Sequence, residues 1–341
     1  MKKIKVSVIH TEYLDVPHEA SPGSNNFSES AALAYVNDNI NKTLEYVKKA
    51  GQAGSDLVCT HEDFINSGLY VRDFDNPLFA SIVKHTYKQI REQMSSLAKQ
   101  YSMLIATNNY EEHNGDIYNT STVYGRNGEI LGQYRKVHLA DSENWRAVPG
   151  DTFNVIETDI GKIGFAICYD MIFPESCRML ALNGADIIIH QTQGWGTMGK
   201  GKPIVGESFM RVRAAENSVY LIVAKVIQGR EQERSMVIDN FGNIIAESDV
   251  LTEELLTVEF EPDYNMIEPY HFNSYFSGVP SIKARQLLAR RPQVYNEITD
   301  QAPCVMSKYK EYKLNHAIED AKRVMEKWES IPDEEQAKYY W

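Results

Sequence analysis

Apolar and polar residues alternate along Ile4-Lys5-Val6-Ser7-Val8, the period-two pattern of a half-buried strand. Helical periodicity replaces it over residues 34–49 and 77–100, and short β-rich apolar runs at 57–61 and 103–108 follow each of those stretches. Strands interleaved with helices predict an α/β fold. Residues 118–124 and 129–135 flank Arg126-Asn127-Gly128, and an Asn-Gly pair supplies the positive φ angles of a tight hairpin, so the sheet is expected to be mixed. Farther on, Lys162-Ile163-Gly164-Phe165-Ala166-Ile167 reads as a buried strand. Pro174 and Asn183-Gly184 bracket a helix, and Ala185-Asp186-Ile187-Ile188-Ile189-His190 reads as the next strand. These three pieces form a βαβ unit.

Chemistry in such units gathers at the carboxyl ends of the strands, where Cys168 falls, between Ile167 and Tyr169-Asp170. A thiol at a strand-to-helix elbow is placed to react; the competing reading is a small buried hydrophobe. A cysteine nucleophile needs a proton acceptor and a cationic or N–H group for the developing oxyanion. Glu62 arrives at the end of the 57–61 strand and Lys136 at the end of the 130–138 strand, with Glu143 in the loop beyond. Taken singly, a strand-terminal Glu or Lys is usually a solvated loop charge.

In this order the segments resemble the nitrilase superfamily of carbon-nitrogen hydrolases. The pieces are His61-Glu62-Asp63-Phe64, then Tyr134-Arg135-Lys136-Val137-His138-Leu139, then Gly164-Phe165-Ala166-Ile167-Cys168-Tyr169-Asp170 with Phe173-Pro174-Glu175. Tyr118-Asn119, Arg213-Ala214-Ala215-Glu216-Asn217 and Ser235-Met236-Val237-Ile238-Asp239 are secondary marks. The resemblance implies a four-layer α-β-β-α sandwich over residues 1–295. It makes Cys168 the nucleophile, Glu62 the general base, Lys136 with the backbone N–H of Tyr169 the oxyanion donors, and Glu143 a further catalytic carboxylate. No metal or organic cofactor is implied. His61 departs from the pattern, since the family usually has proline there. Tyr169-Asp170 looks more like the amidase and ureido-hydrolase branches than the Trp-Glu of true nitrilases. The expected substrate is therefore a small amide or N-carbamoyl compound, with Tyr169, Asp170, Gln193 and Trp195 at the substrate; a nitrilase, or a silent nitrilase-fold binding protein, are the rivals. Met171 and Ile172 stand where carboxylate-binding relatives often carry arginine, which disfavours a substrate carboxylate at that point unless Arg146 or Lys202 supplies the charge.

Composition fits a single large catalytic domain: 341 residues are 43% hydrophobic and 24% charged. The four cysteines form no CxxC pair, so neither a disulfide framework nor a zinc knuckle is expected, and a reducing cytoplasmic setting suits a catalytic thiol. No long apolar segment signals secretion or a membrane, and the net charge of −12 argues against nucleic acid. Residues 199–203 lack the Walker spacing and read as a rim loop. Residues 296–341 are expected to form a C-terminal extension, helical over 308–328 and ending in Tyr339-Tyr340-Trp341, that docks on the core or across a subunit junction. Family members commonly pair through helices near the cysteine, which implies a homodimer or a higher homo-oligomer.

Overall fold

A computed structural model describes residues 3–71, 77–140, 143–144, 146–194, 204–228, 234–267 and 278–300. The chain divides into two compact units, Met1–Leu287 and Leu288–Trp341. In the second unit a 3-10 turn at Pro292–Val294 and a short helix at Asn296–Thr299 are described; the helix expected over 308–328 lies outside the described residues.

Twelve strands of the first unit form two six-stranded sheets. One holds β1 (Ile4–His10), β2 (Leu57–Cys59), β3 (Leu104–His113), β4 (Asp116–Tyr124), β5 (Ile130–Arg135) and β12 (Glu254–Phe260), in the order β12-β1-β2-β3-β4-β5. The other holds β6 (Val155–Thr158), β7 (Gly161–Phe165), β8 (Ile187–Thr192), β9 (Tyr220–Lys225), β10 (Met236–Ile238) and β11 (Ile244–Glu247), in the order β11-β10-β9-β8-β7-β6. Both sheets are mixed. The pairs β1/β2, β2/β3, β7/β8 and β8/β9 are parallel, and antiparallel strands flank them.

Side-chain alternation decides the layers, because successive residues of a strand face opposite sides. Leu57 and Cys59 of β2, and Leu104 and Ala106 of β3, join Ile187 and Ile189 of β8 in a core between the sheets. Their neighbours Val58 and Ile105 face outward onto α1 (Glu29–Gln52) and α2 (Pro77–Tyr101). On the other sheet Ile188, Leu221 and Val223 pack under α3 (Pro174–Leu182) and α4 (Ile204–Asn217). The result is the expected α-β-β-α sandwich. Central strands are buried on both faces, which explains why β8 opens as the continuous apolar run Ile187-Ile188-Ile189 rather than an alternating one. Full burial of each such side chain contributes about 1.5–3 kcal/mol.

Local chemistry sets the ends of the elements. The Ser28 hydroxyl caps α1 by accepting from Ala31 N at 3.1 Å, Pro174 opens α3, and Gly184 with φ +95° follows its end. The β4–β5 connection differs from the expected two-residue hairpin. Gly128 has φ +89° while Asn127 stays out of the left-handed region, and the register shifts between Val123 and Tyr124, so the turn is longer and bulged. A Cβ on Gly128 would lie 2.6 Å from the Ser95 carbonyl oxygen, so the closeness of α2 holds that position to glycine. Among the described residues no helix is long and apolar enough to cross a membrane.

Candidate active site

The ladder of β7 ends at Phe165, and three residues later Cys168 opens a 3-10 turn, Cys168–Ile172, with φ +42°. A non-glycine residue pays strain for a left-handed conformation and keeps it only where its surroundings enforce it. Asp170 is the enforcing group. Its fully buried carboxylate accepts from Ile167 N at 3.0 Å, from Tyr134 OH at 2.8 Å and from His138 N at 2.9 Å, and it lies 2.9 Å from His138 Nδ1. These contacts tie the cysteine elbow to the strand that delivers Lys136. They also engage both carboxylate oxygens, so the structure gives Asp170, expected at the substrate, a bracing position. Tyr169 is 38% exposed, beside the half-buried Cys168, with its ring edge-on to Phe173. Burial pushes the Cys168 thiol up to about 12, and the Glu62 carboxylate adds to the rise against the opposing charge of Lys136. At neutral pH the sulfur therefore holds its proton and needs a base to leave.

Glu62 follows β2 by three residues, and Lys136 follows β5 by one. The structure brings them together with Glu143. Lys136 Nζ donates to Glu62 Oε1 at 2.9 Å and to Glu143 Oε2 at 2.6 Å, and all three residues are buried. Burial alone would lower the pKa of the lysine; the two carboxylates override it and hold the ammonium well above the usual range. Burial would likewise raise Glu143, yet Lys136 and Arg146 hold it below the ordinary carboxylate value. Asn119 Nδ2 donates to both acids, at 2.9 Å to Glu62 Oε1 and 2.6 Å to Glu143 Oε1. Its own carbonyl accepts from Asn108 Nδ2 at 2.8 Å, which fixes the direction of the amide.

The end of β8 closes the cluster. Gln193 N donates to Glu62 Oε2 at 3.0 Å, Gln193 Nε2 donates to Tyr13 OH at 2.8 Å, and the Gly194 carbonyl lies 3.8 Å from Cys168 Sγ. Tyr13 OH in turn donates to the carbonyls of Glu62 and Asp63. His61, the departure from proline, is buried and neutral, its pKa lowered to about 3 by burial; its Nδ1–H donates to the Glu62 carbonyl at 3.0 Å. Trp195, Lys202 and the 199–203 loop lie outside the described residues. Met171 is buried in the core beneath α3 and α4 rather than at the cysteine, so the expectation drawn from it about substrate charge loses that support.

A family model described as carbon-nitrogen hydrolase matches residues 32–265. The chain belongs to the carbon-nitrogen hydrolase family. It is an amidase-like hydrolase, 30% identical over 242 residues to omega-amidase NIT2-B of Xenopus laevis, a match that covers 67% of this chain and 84% of that protein. The human omega-amidase NIT2 is also 30% identical, over 64% of this chain and 81% of the relative. The solved structure of a carbon-nitrogen hydrolase from Helicobacter pylori G27 superposes with TM-score 0.68 at 22% identity, covering 88% of this chain and 99% of the other. A mutant of an amidase from Nesterenkonia sp. AN1, which carries the acetamide moiety of fluoroacetamide at its active site cysteine, gives TM-score 0.62 at 19% identity, covering 86% and 95%.

In this hydrolase the motifs picked out Glu62, Lys136, Glu143 and Cys168. Sequence reasoning gave no site role to Asn108, Tyr110, Tyr13 or Lys225, because each meets the cluster across strands rather than within a motif. Asn119 carried a signal, as half of the Tyr118-Asn119 pair.

Proposed function

We propose that the enzyme hydrolyses a small amide or N-carbamoyl compound through a thioester on Cys168. Glu62 takes the thiol proton as the sulfur attacks the carbonyl carbon. The oxyanion is held by Lys136 Nζ and the backbone N–H of Tyr169. Collapse expels ammonia or an amine, protonated by Glu62, and leaves the acyl group on sulfur. Glu62 then deprotonates water, which displaces the thiolate and releases the acid. Glu143 keeps the Lys136 ammonium in place throughout. The observation that carries this reading is the buried Lys136 ammonium shared between Glu62 and Glu143: one carboxylate faces the nucleophile's electrostatic environment, and the second leaves the lysine charged and fixed. The omega-amidase names of the relatives support the amide class.

Ammonia release from a panel of amides, carbamoyl compounds and nitriles, with intact-protein mass during turnover, tests the reading. Turnover of an amide or carbamoyl compound with an acyl adduct on Cys168 is expected. Acid formation from nitriles alone would move the enzyme to the nitrilase branch, and no reaction with any member would make it a binding protein.

We further infer cytoplasmic residence and a homodimer. Met179 and Leu182 of α3 and Val212 of α4 are 42%, 36% and 51% exposed on the helices beside the cysteine elbow, apolar side chains that a second copy would cover. Light scattering on a Met179→Glu, Val212→Glu double variant should show a lower mass; an unchanged mass defeats the interface.

A further inference from the structure

Lys225 ends β9, directly across the ladder from Thr192 at the end of β8. It has no surface exposure. Stripping an ammonium of water is strongly unfavourable even after relaxation, so a lysine at such a position needs compensation. Here Nζ donates to the carbonyl of Gln193 and, at 2.7 Å, to the carbonyl of Val226. The nearby buried histidines do not compete for the charge. Burial lowers the pKa of His10, of His61 to about 3 and of His190 to about 4, and the charge of Lys225 lowers each further.

Gln193 is the residue this cation holds, and two donors of Gln193 lead to the candidate base, one directly and one through Tyr13. Its N–H binds Glu62 Oε2 and its side-chain amide binds Tyr13 OH, which binds the Glu62 and Asp63 carbonyls. One residue on, the Gly194 carbonyl lies against Cys168 Sγ and accepts from Thr192 Oγ1 at 2.6 Å. The segment 192–194 thus touches the candidate base through one residue and the candidate nucleophile through the next.

We infer that Lys225 is a positioning residue: it anchors the Gln193 carbonyl, and so sets the mutual placement of Glu62 and Cys168. The inference rests on the proposed roles of that pair. The anchor is electrostatic as well as geometric, since a charge-assisted bond to a carbonyl is stronger than one from a neutral donor.

Lys225→Met keeps the stem and removes the cation, and Lys225→Gln keeps an N–H donor without the charge. Each is measured by thermal unfolding, by steady-state ammonia release, and by peptide mapping of Cys168 alkylation with iodoacetamide, in which sulfur displaces iodide and the thiol proton passes to the base. In Lys225→Met we expect kcat to fall about 10²-fold with KM within about threefold of wild type, because misplacing a reacting pair costs rate more than binding. Cys168 alkylation should slow about tenfold, because the base that draws off its proton is no longer fixed. Lys225→Gln should fall between. Alkylation needs no substrate, so a wild-type protein that alkylates at Cys168 but turns over no amide removes the proposed function while the Lys225 test still stands. A folded Lys225→Met with kcat and alkylation unchanged overturns the inference, and so does a loss confined to KM. Failure of both variants to fold also overturns it, by making Lys225 a requirement of the fold.

Discussion

Replacing Glu143 with glutamine is the sharpest test of the buried cluster, because the change is nearly isosteric yet cannot satisfy the site. Four donors converge on this carboxylate: Asn119 Nδ2 at 2.6 Å and Tyr110 OH at 3.0 Å on Oε1, Lys136 Nζ at 2.6 Å and Ala140 N at 3.2 Å on Oε2. Glutamine offers one acceptor and one NH2 group, so in either orientation at least one donor that cannot accept, Asn119 Nδ2 on one side or Lys136 Nζ and Ala140 N on the other, faces a donor. Keeping the amide oxygen toward Lys136 turns the NH2 against Asn119, which also holds Glu62 Oε1 at 2.9 Å. Glu62, the proposed base, is disturbed along with the lysine. The bond lost by Asn119, plus the lost charge opposite Lys136, should cost about 3–5 kcal/mol of stability. At about 2 °C per kcal/mol for a domain of this size, Tm should fall by roughly 6–10 °C. If Lys136 and Glu62 act as proposed, loosening both should lower kcat by about 10²-fold or more. Thermal unfolding and ammonia release on the purified Glu143→Gln variant measure both. A Tm within about 2 °C of wild type, or a kcat within about threefold, would refute the view that four donors require a charged acceptor there.

Cys168→Ala should abolish turnover and keep the fold, while Cys168→Gly, relieved of the positive φ, should be about 1 kcal/mol more stable than the alanine variant; equal melting would mean the elbow is unstrained. Stability should fall in acid. Glu111, despite its burial, is held low by Tyr87 and Arg135, and Glu143 by Lys136 and Arg146, so both favour the folded state above the ordinary value of 4.5 and lose that advantage as pH drops through their lower folded values. Unfolding free energy across that range should therefore decline less steeply in Glu143→Gln, and parallel profiles would contradict this. Neutral amides should exceed matched carboxylate-bearing ones in kcat/KM, because Lys136 and Arg146 are already compensated by Glu62, Glu143 and Asp63. A clear preference for the carboxylate-bearing partner would show that another cation reaches the substrate.

Much of this molecule is legible along the chain. Period-two and helical patterns marked β1, α1, α2 and the β7–α3–β8 unit because solvent and core select residues at the spacing of each backbone, and that selection is local. Glu62, Lys136 and Cys168 were visible because each stands at a strand end with flanking residues in a recognisable order. The tertiary structure decided everything that depends on which strand end meets which. Asp170 and Met171 sit one and two places from Tyr169 in the chain, yet the 3-10 turn sends one into a four-fold hydrogen-bond cage and the other into the helix-facing core. Asn119 and Lys225 lie 57 and 32 positions from their partners Glu62 and Gln193. Strand pairing within each sheet brings these groups within reach, and the packing of one sheet on the other then sets Gln193 N on Glu62 Oε2; no local pattern of apolar and polar residues encodes those meetings.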